Sequence, residues 1–201
     1  VTPFMLYVGL AEKNDRYVDL AIFETLELFR ILRDAKTGLL HQGRGFQGLG
    51  IVSEDNWSRG NGWVYGGLAL MLEHLPKDHA RRPFYENLFK EMTTAILAAQ
   101  QPDGLWRPSL LDPKEVDAGE TSGSGFFTFG LAWGVNHGLL DRAAHLPVIT
   151  RAWNGLMTRV QADGLVGYVQ PVGAAPDHLE AGNTQDYGTG AFLMAGSEIL
   201  R

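Results

Sequence analysis

Two unrelated markers recur along this chain with one spacing. A hairpin-like phrase appears as TGLLHQG at 37–43, DGLWRPS at 103–109 and DGLVGYV at 163–169, its starts 66 and 60 positions apart. A Gly-x-Gly closely followed by an aromatic appears as RGNGW at 59–63, SGSGF at 122–126 and YGTGAF at 187–192. Its leading glycines, Gly60, Gly123 and Gly188, lie 63 and 65 positions apart. A shared period of this size marks a supersecondary unit stacked on copies of itself, because one such unit cannot bury its apolar face alone.

Each unit holds two kinds of helix. One kind is amphipathic: Val18, Ile22, Leu26 and Phe29 share a face, as do Phe84, Leu88, Met92 and Ala95. Ile149, Ala152, Trp153, Leu156 and Val160 do the same, with Pro147 placed in the first turn, where its missing N–H costs little. The other kind has no polar face: Gly62–Leu72, Phe126–Val135 and Ala191–Gly196 are apolar or small all round. A helix of that composition is buried on every side. Half-buried helices alternating with fully buried ones make an outer ring wrapped on an inner ring, an α/α toroid. The fold class is all-α.

The Gly-x-Gly stretches then open the inner helices and face one rim. Unpaired N–H groups and the positive end of the helix dipole favour a negative ligand there, and glycine permits close approach. One such glycine pair alone would read as a simple turn into a helix. Three in phase, beside Trp57, Arg59, Asn61, Trp63, Glu120, Thr121, Gln185 and Asp186, read as a binding rim. A phosphate loop is excluded, since the glycine spacing is wrong, no strand precedes and the lysine is missing. The rhyming phrases near 37, 103 and 163 belong at one end of the ring, but their composition does not say which.

Charge and composition narrow the partners. The formal charge is −6 and the 17 Lys and Arg are scattered, which excludes the basic stripe of a nucleic-acid binder. There are no cysteines, hence no disulfide framework or thiolate metal site. The longest apolar run, Phe126 to Val135, is too short to span a bilayer. The compartment stays open between cytoplasm and periplasm.

WSRGNGWVYGGLALMLEHLPKDH, QQPDGLWRPSLLD, ETSGSGFFTFGLAWGVNHGLLDR and QDYGTGAFLMAGSEIL resemble, in order, the unsaturated rhamnogalacturonyl hydrolases of glycoside hydrolase family 105. The related unsaturated glucuronyl hydrolases are more distant. The resemblance covers nearly the whole chain and implies an (α/α)6 toroid of six helix hairpins. It also implies a substrate, an oligosaccharide with an unsaturated uronic acid at its non-reducing end, as polysaccharide lyases of the pectin and rhamnogalacturonan type produce. In that chemistry an aspartic acid protonates carbon 4 of the enol ether, water adds at carbon 5, and the hemiketal opens to release the next sugar. This is general acid–base catalysis without metal or organic cofactor, so the two-carboxylate spacing rule of ordinary glycosidases does not govern it.

Carried over by position, His41 of GLLHQG lines the sugar pocket, and Trp57 and Trp63 flank the sugar. Arg59 binds the uronate or a hydroxyl through its planar fork, or else pairs structurally with Glu54 or Asp55. Gly60 and Asn61 offer backbone and amide contacts, and Trp106 and Thr121 stand on the rim. Each has a plainer reading: a turn histidine for His41, core packing for Trp63. The proton donor of the resemblance sits in a D-x-x-(F/Y)-M phrase ahead of an inner helix like VTPFMLYVGLAE, so its match would fall before Val1, and no catalytic residue is assigned.

Seven helical patterns are expected, near 3–12, 15–34, 60–75, 82–101, 121–139, 145–163 and 186–201. Twelve make a complete ring, so residues 1–201 read as the C-terminal part of one (α/α)6 domain. An open arc leaves Phe4, Leu10, Leu193 and Met194 without neighbours, which predicts self-association. Two other functions remain open. One is a conventional glycosidase drawing two carboxylates from Glu54, Asp55, Glu120 and Asp186; the other is a non-catalytic sugar-binding or assembly module.

Overall fold

The computed structural model describes every residue except Ala174. Among the described residues seven helices carry the chain: α1 (Thr2–Ala11), α2 (Asp15–Leu32), α3 (Ser58–His74), α4 (Arg82–Ala99), α5 (Thr121–Asn136), α6 (Arg142–Met157) and α7 (Asp186–Ile199). Among the described residues there is no named strand, only isolated bridges. No helix among the described residues is long and apolar enough to cross a membrane.

The order of packing is that of two concentric arcs. Helices α1, α3, α5 and α7 are successive neighbours on the inside; α2 packs behind α1, α4 behind α3 and α6 behind α5. The outer helices bury one face each: Val18, Ile22 and Phe29 on α2, Leu88, Met92 and Ile96 on α4, Ile149, Ala152 and Leu156 on α6. Burying a Leu or Phe of this kind stabilises by about 1.5–3 kcal/mol. Inner and outer layers lock through stacked rings. Tyr65 of α3 lies on Phe89 of α4 at 4.6 Å and bonds Thr93 at 2.6 Å, while Gly130 of α5 leaves room for the Tyr65 ring.

All-round burial holds for α5, every residue of which from Thr121 to Gly134 is inside. It does not hold for α7, which buries only Gly188, Ala191, Ala195 and Glu198. Nor does it hold fully for α3, where Trp63 is exposed and Val64, Gly67 and Leu70 are half-buried along the hollow it shares with α1. Helix α1 itself buries only Leu6 and Gly9. The reason is position: α5 is packed closely by α3 and α7 on its two flanks, α3 meets α1 across an open hollow, and the ends of the arc have one inner neighbour each. Phe4 and Leu193 are accordingly 70% and 62% exposed, with Leu10 and Met194 half-buried.

Helix α6 begins three residues earlier than its proline suggests. Asp141 caps it, its carboxylate accepting from the Ala144 N–H at 2.7 Å, so Pro147 falls inside the helix rather than in its first turn. Pro147 is exposed, and the carbonyl it leaves without a helical donor can turn to water. The helix also stops at Met157, because residues 158–166 form a turn closed by the Val160–Val166 bridge.

The inner helices run parallel, with first turns packed against first turns. A side chain on Gly123 would strike Ser58 at 2.7 Å, and one on Gly125 would strike Ala191 at 2.9 Å. The Gly-x-Gly pairs occupy the third and fifth positions of α3, α5 and α7 alike. Four of their six glycines, Gly62, Gly123, Gly125 and Gly188, are therefore spent on helix and loop packing, and Gly60 and Gly190 remain open.

The three rhyming phrases all come to this N-terminal rim. Each begins with one turn: Leu39 N–H donates to Thr37, Leu105 N–H to Asp103 and Leu165 N–H to Asp163, at 3.3, 3.1 and 3.0 Å. The glycine between has φ of 76°, 84° and 89°. From there each segment reaches an inner helix start. Leu40 N–H donates to Asn61 at 2.8 Å, Ser58 N–H to Pro108 O at 2.8 Å and Thr121 N–H to Tyr168 O at 3.0 Å.

Candidate active site

The lip of α3 is built from the inside outward. Gln170, 1% exposed, stands at its centre. Its side-chain oxygen accepts from Trp57 Nε1 at 2.6 Å, its N–H donates to Glu120 at 3.1 Å, and its carbonyl accepts from Arg59 and from the Tyr187 hydroxyl. One residue of the 158–185 segment thus ties together the starts of α3, α5 and α7.

Arg59 is buried in this cluster. Its guanidinium lies 4.3 Å from the Trp57 ring centre and 4.9 Å from that of Tyr187, and it donates to the carbonyls of Gln170 and Pro171. Neither Glu54 nor Asp55 pairs with it among the described residues. Burial pushes the Tyr187 hydroxyl upward, and the Arg59 charge opposes that shift. Asn61 spends its amide on main chain, donating to Leu40 O and Trp57 O while accepting from Leu40 N–H. It pins the rim segment that carries His41.

Glu120 is wholly buried and caps α5, accepting from the N–H groups of Ser122, Gly123 and Gln170 and from the Ser122 hydroxyl. It has no face left for substrate, which removes it from the carboxylates open to a conventional glycosidase. Two further expectations are corrected by burial. Trp106 is fully enclosed, its Nε1 donating to Ile96 O at 2.7 Å and its ring set edgewise on Phe127. Thr121 is equally enclosed and donates to Gly167 O. Both lie under the rim segments instead of on them.

Of the sequence-predicted residues, His41, Gly60 and Trp63 are the most open toward the hollow. His41 and Gly60 line a cavity of about 210 Å³ with Gln42, Asn61, the edge of Trp57 and the α2 side chains Leu28 and Leu32. His41 Nε2 points to Asp34 at 3.6 Å, and its Nδ1 has no partner. Asp34 is held ionised below the usual carboxylate range, chiefly by the Thr37 N–H, against the opposing effect of burial, with further help from the Thr37 hydroxyl, the Lys36 N–H and the His41 charge. Trp63 is 52% exposed, one face against Phe126 at 4.4 Å. It lines a second, adjoining hollow of about 540 Å³ that runs down the inner wall between Val64, Gly67 and Leu70. Both hollows are mostly apolar, His41, Gln42 and Asn61 being the polar side chains of the smaller one, and the flat Trp63 indole beside them offers a face on which the C–H face of a sugar ring can pack. Among the described residues no cluster of His, Asp and Glu has the form of a metal site.

The sequence model of glycosyl hydrolase family 88 matches residues 1–201. The chain belongs to that family. An unsaturated 3S-rhamnoglycuronyl hydrolase from Formosa agariphila is 59% identical over 145 residues, which are 72% of this chain and 38% of the relative. A solved family 88 structure from Bacteroides vulgatus, 35% identical, superposes with a TM-score of 0.89 over 100% of this chain and 60% of that one. The chain therefore spans well under two thirds of the relatives it matches. Two more distant structures speak to the fold alone. A possible family 105 member from Salmonella enterica, 23% identical, matches 96% of this chain and 52% of its own with a TM-score of 0.85. An unsaturated glucuronyl hydrolase from Bacillus sp. GL1, 18% identical, matches 100% and 56% with 0.73. The family 88 fold seen here is that of the (α/α)6 toroid.

Proposed function

We propose that this family 88 chain belongs to a glycosidase that removes an unsaturated uronic acid from the non-reducing end of lyase-generated oligosaccharides. The 59% identical relative is named for an unsaturated rhamnoglycuronyl substrate. We assign the same unsaturated rhamnoglycuronyl class here. The observation that carries the proposal is the lip of α3, where Gly60 and Trp63 of the WxRGNGW segment stand open beside His41 while Trp57, Arg59 and Asn61 are locked in place by hydrogen bonds.

In this reading Trp63 supports the sugar face, the bare Cα of Gly60 lets the ring approach, and His41, on the cavity wall, meets a hydroxyl or the carboxylate. Arg59, Asn61 and Gln170 hold these groups in place. A proton goes to carbon 4 and water oxygen to carbon 5. The hemiketal opens by breaking the bond from carbon 5 to the ring oxygen, which leaves a ketone at carbon 5 and a hemiacetal at carbon 1. The hemiacetal collapses to an aldehyde as the carbon 1–oxygen bond breaks and the departing sugar oxygen takes up the proton. No carboxylate of this chain is assigned the proton transfer. Residues 1–201 act as one stretch of a larger toroid whose further helices cover the exposed faces of α1 and α7.

The test is substrate choice by the full-length protein. Loss of the ultraviolet absorbance of the conjugated enol ether, on lyase-treated oligosaccharide and not on its saturated counterpart, supports the proposal. Cleavage of the saturated chain would overturn it.

A further inference from the structure

We infer that the hairpin of residues 43–53 is the platform for the sugar that leaves, with Phe46 as its stacking face and Arg44 as its anion contact. This rests on the reading of the site given above. The hairpin grows directly from the cavity wall. His41 and Gln42 line the cavity, and the next residue, Gly43, pairs with Ser53 through N–H to O at 2.9 Å and N–H to Oγ at 3.2 Å. Arg44 bridges to Val52, and Gly45 N–H donates to Ile51 O at 2.8 Å. The Phe46 ring folds back over Gly43, where a Cβ would meet it at 3.1 Å, so the ring lies toward the foot of the hairpin, next in sequence to the cavity-lining His41 and Gln42.

Three features give this hairpin a ligand-binding character. Phe46 is 55% exposed with no core contact to explain it, in a segment where Leu49 and Ile51 are exposed too. Arg44 spends its Nε on Gly50 O at 3.2 Å, which fixes the guanidinium while leaving its terminal nitrogens free, and it makes no ion pair among the described residues. Residues 41–53 contain no acidic side chain in a chain of net charge −6; Glu54 and Asp55 stand only at the foot. A flat apolar face and a fixed free cation, continuous with a pocket for the terminal sugar, suit a sulfated sugar one position along. A polar side chain would serve solubility better at all three exposed positions.

The experiment uses the full-length protein and three substrates: a sulfated unsaturated rhamnoglycuronyl oligosaccharide, its desulfated form, and the methyl glycoside of the unsaturated uronic acid. Phe46→Ala should lower kcat/KM about tenfold on both oligosaccharides, mainly through KM, and leave the methyl glycoside unchanged; Phe46→Tyr should restore it. Arg44→Gln should abolish the preference for the sulfated chain, about tenfold or more, and Arg44→Lys should keep part of it. Equal effects on all three substrates, or none, would overturn the inference while turnover of the methyl glycoside leaves the activity standing. A wild-type protein inert toward all three substrates sinks the proposed activity itself. Phe46→Ala dissociating an oligomer with kinetics unchanged assigns the hairpin to a protein contact and also overturns it.

Discussion

Trp57 and Gln170, 113 positions apart, meet through an indole N–H and an amide oxygen at 2.6 Å with both side chains inside the protein. The same glutamine accepts Arg59 and Tyr187 on its carbonyl and gives its N–H to Glu120. The starts of three inner helices therefore share one residue from a loop.

Gln170→Leu keeps the bulk and removes the acceptor, so the Trp57 N–H is left buried and unpaired. The expected cost is about 1–3 kcal/mol. Thermal or denaturant melts read it directly, and a variant as stable as the parent would show that Trp57 finds another acceptor.

Arg59→Ala deletes the two carbonyl contacts and the stacking between Trp57 and Tyr187. It should cost about 2–4 kcal/mol of stability and lower kcat/KM per folded molecule about tenfold as the wall behind the cavity relaxes. Arg59→Lys should recover only part, because one ammonium cannot span both carbonyls. Normal kcat/KM in the folded fraction would leave Arg59 a purely structural residue.

Asp34 carries a pH signature. Its folded-state carboxyl titrates below its ordinary value, first because the Thr37 N–H stabilises the anion. The stability it confers is thus present above the ordinary carboxylate range, about pH 4, and is lost as pH falls through the lowered value. Asp34→Ala should be less stable than the parent near neutrality and converge on it in acid. A constant difference across that range would exclude the charge as the cause.

Gly104 and Gly164 have the same turn and nearly the same φ, but different surroundings. A Cβ on Gly104 collides with the Arg151 carbonyl, while one on Gly164 meets nothing within 4 Å. Gly164→Ala should cost only the left-handed conformation, about 1–2 kcal/mol. Gly104→Ala should cost clearly more, since helix α6 must move. Parallel melts of the two variants measure the steric part alone.

The 201-residue chain in isolation should self-associate through the exposed faces of α1 and α7. Phe4→Lys with Leu193→Lys should reduce its size in light scattering without lowering its melting temperature. A monodisperse parent chain would remove the basis for this expectation.

The helices were legible because apolar periodicity and a repeated turn mark them independently, and α5 shows how far that goes. Where they failed, the cause is local: Asp141 outbids Pro147 for the start of α6. The site was less legible, for a geometric reason. Trp106 and Trp63 are both aromatics beside an inner helix start, and composition does not say which points into the core and which into the hollow. Gln170 was missed altogether, since a lone glutamine in a loop has no pattern; only its place just after DGLVGYV gave a hint.

The three identical turns that leave the outer helices have a consequence for how such a rim changes over generations. Each segment is held at its foot by the same short turn and at its far end by a helix start, so what lies between can be lengthened, shortened or exchanged without disturbing the wall. The first segment has used that freedom for an eleven-residue hairpin between Gly43 and Ser53, and the third for the stretch after Gln170. New appetites can be acquired one segment at a time.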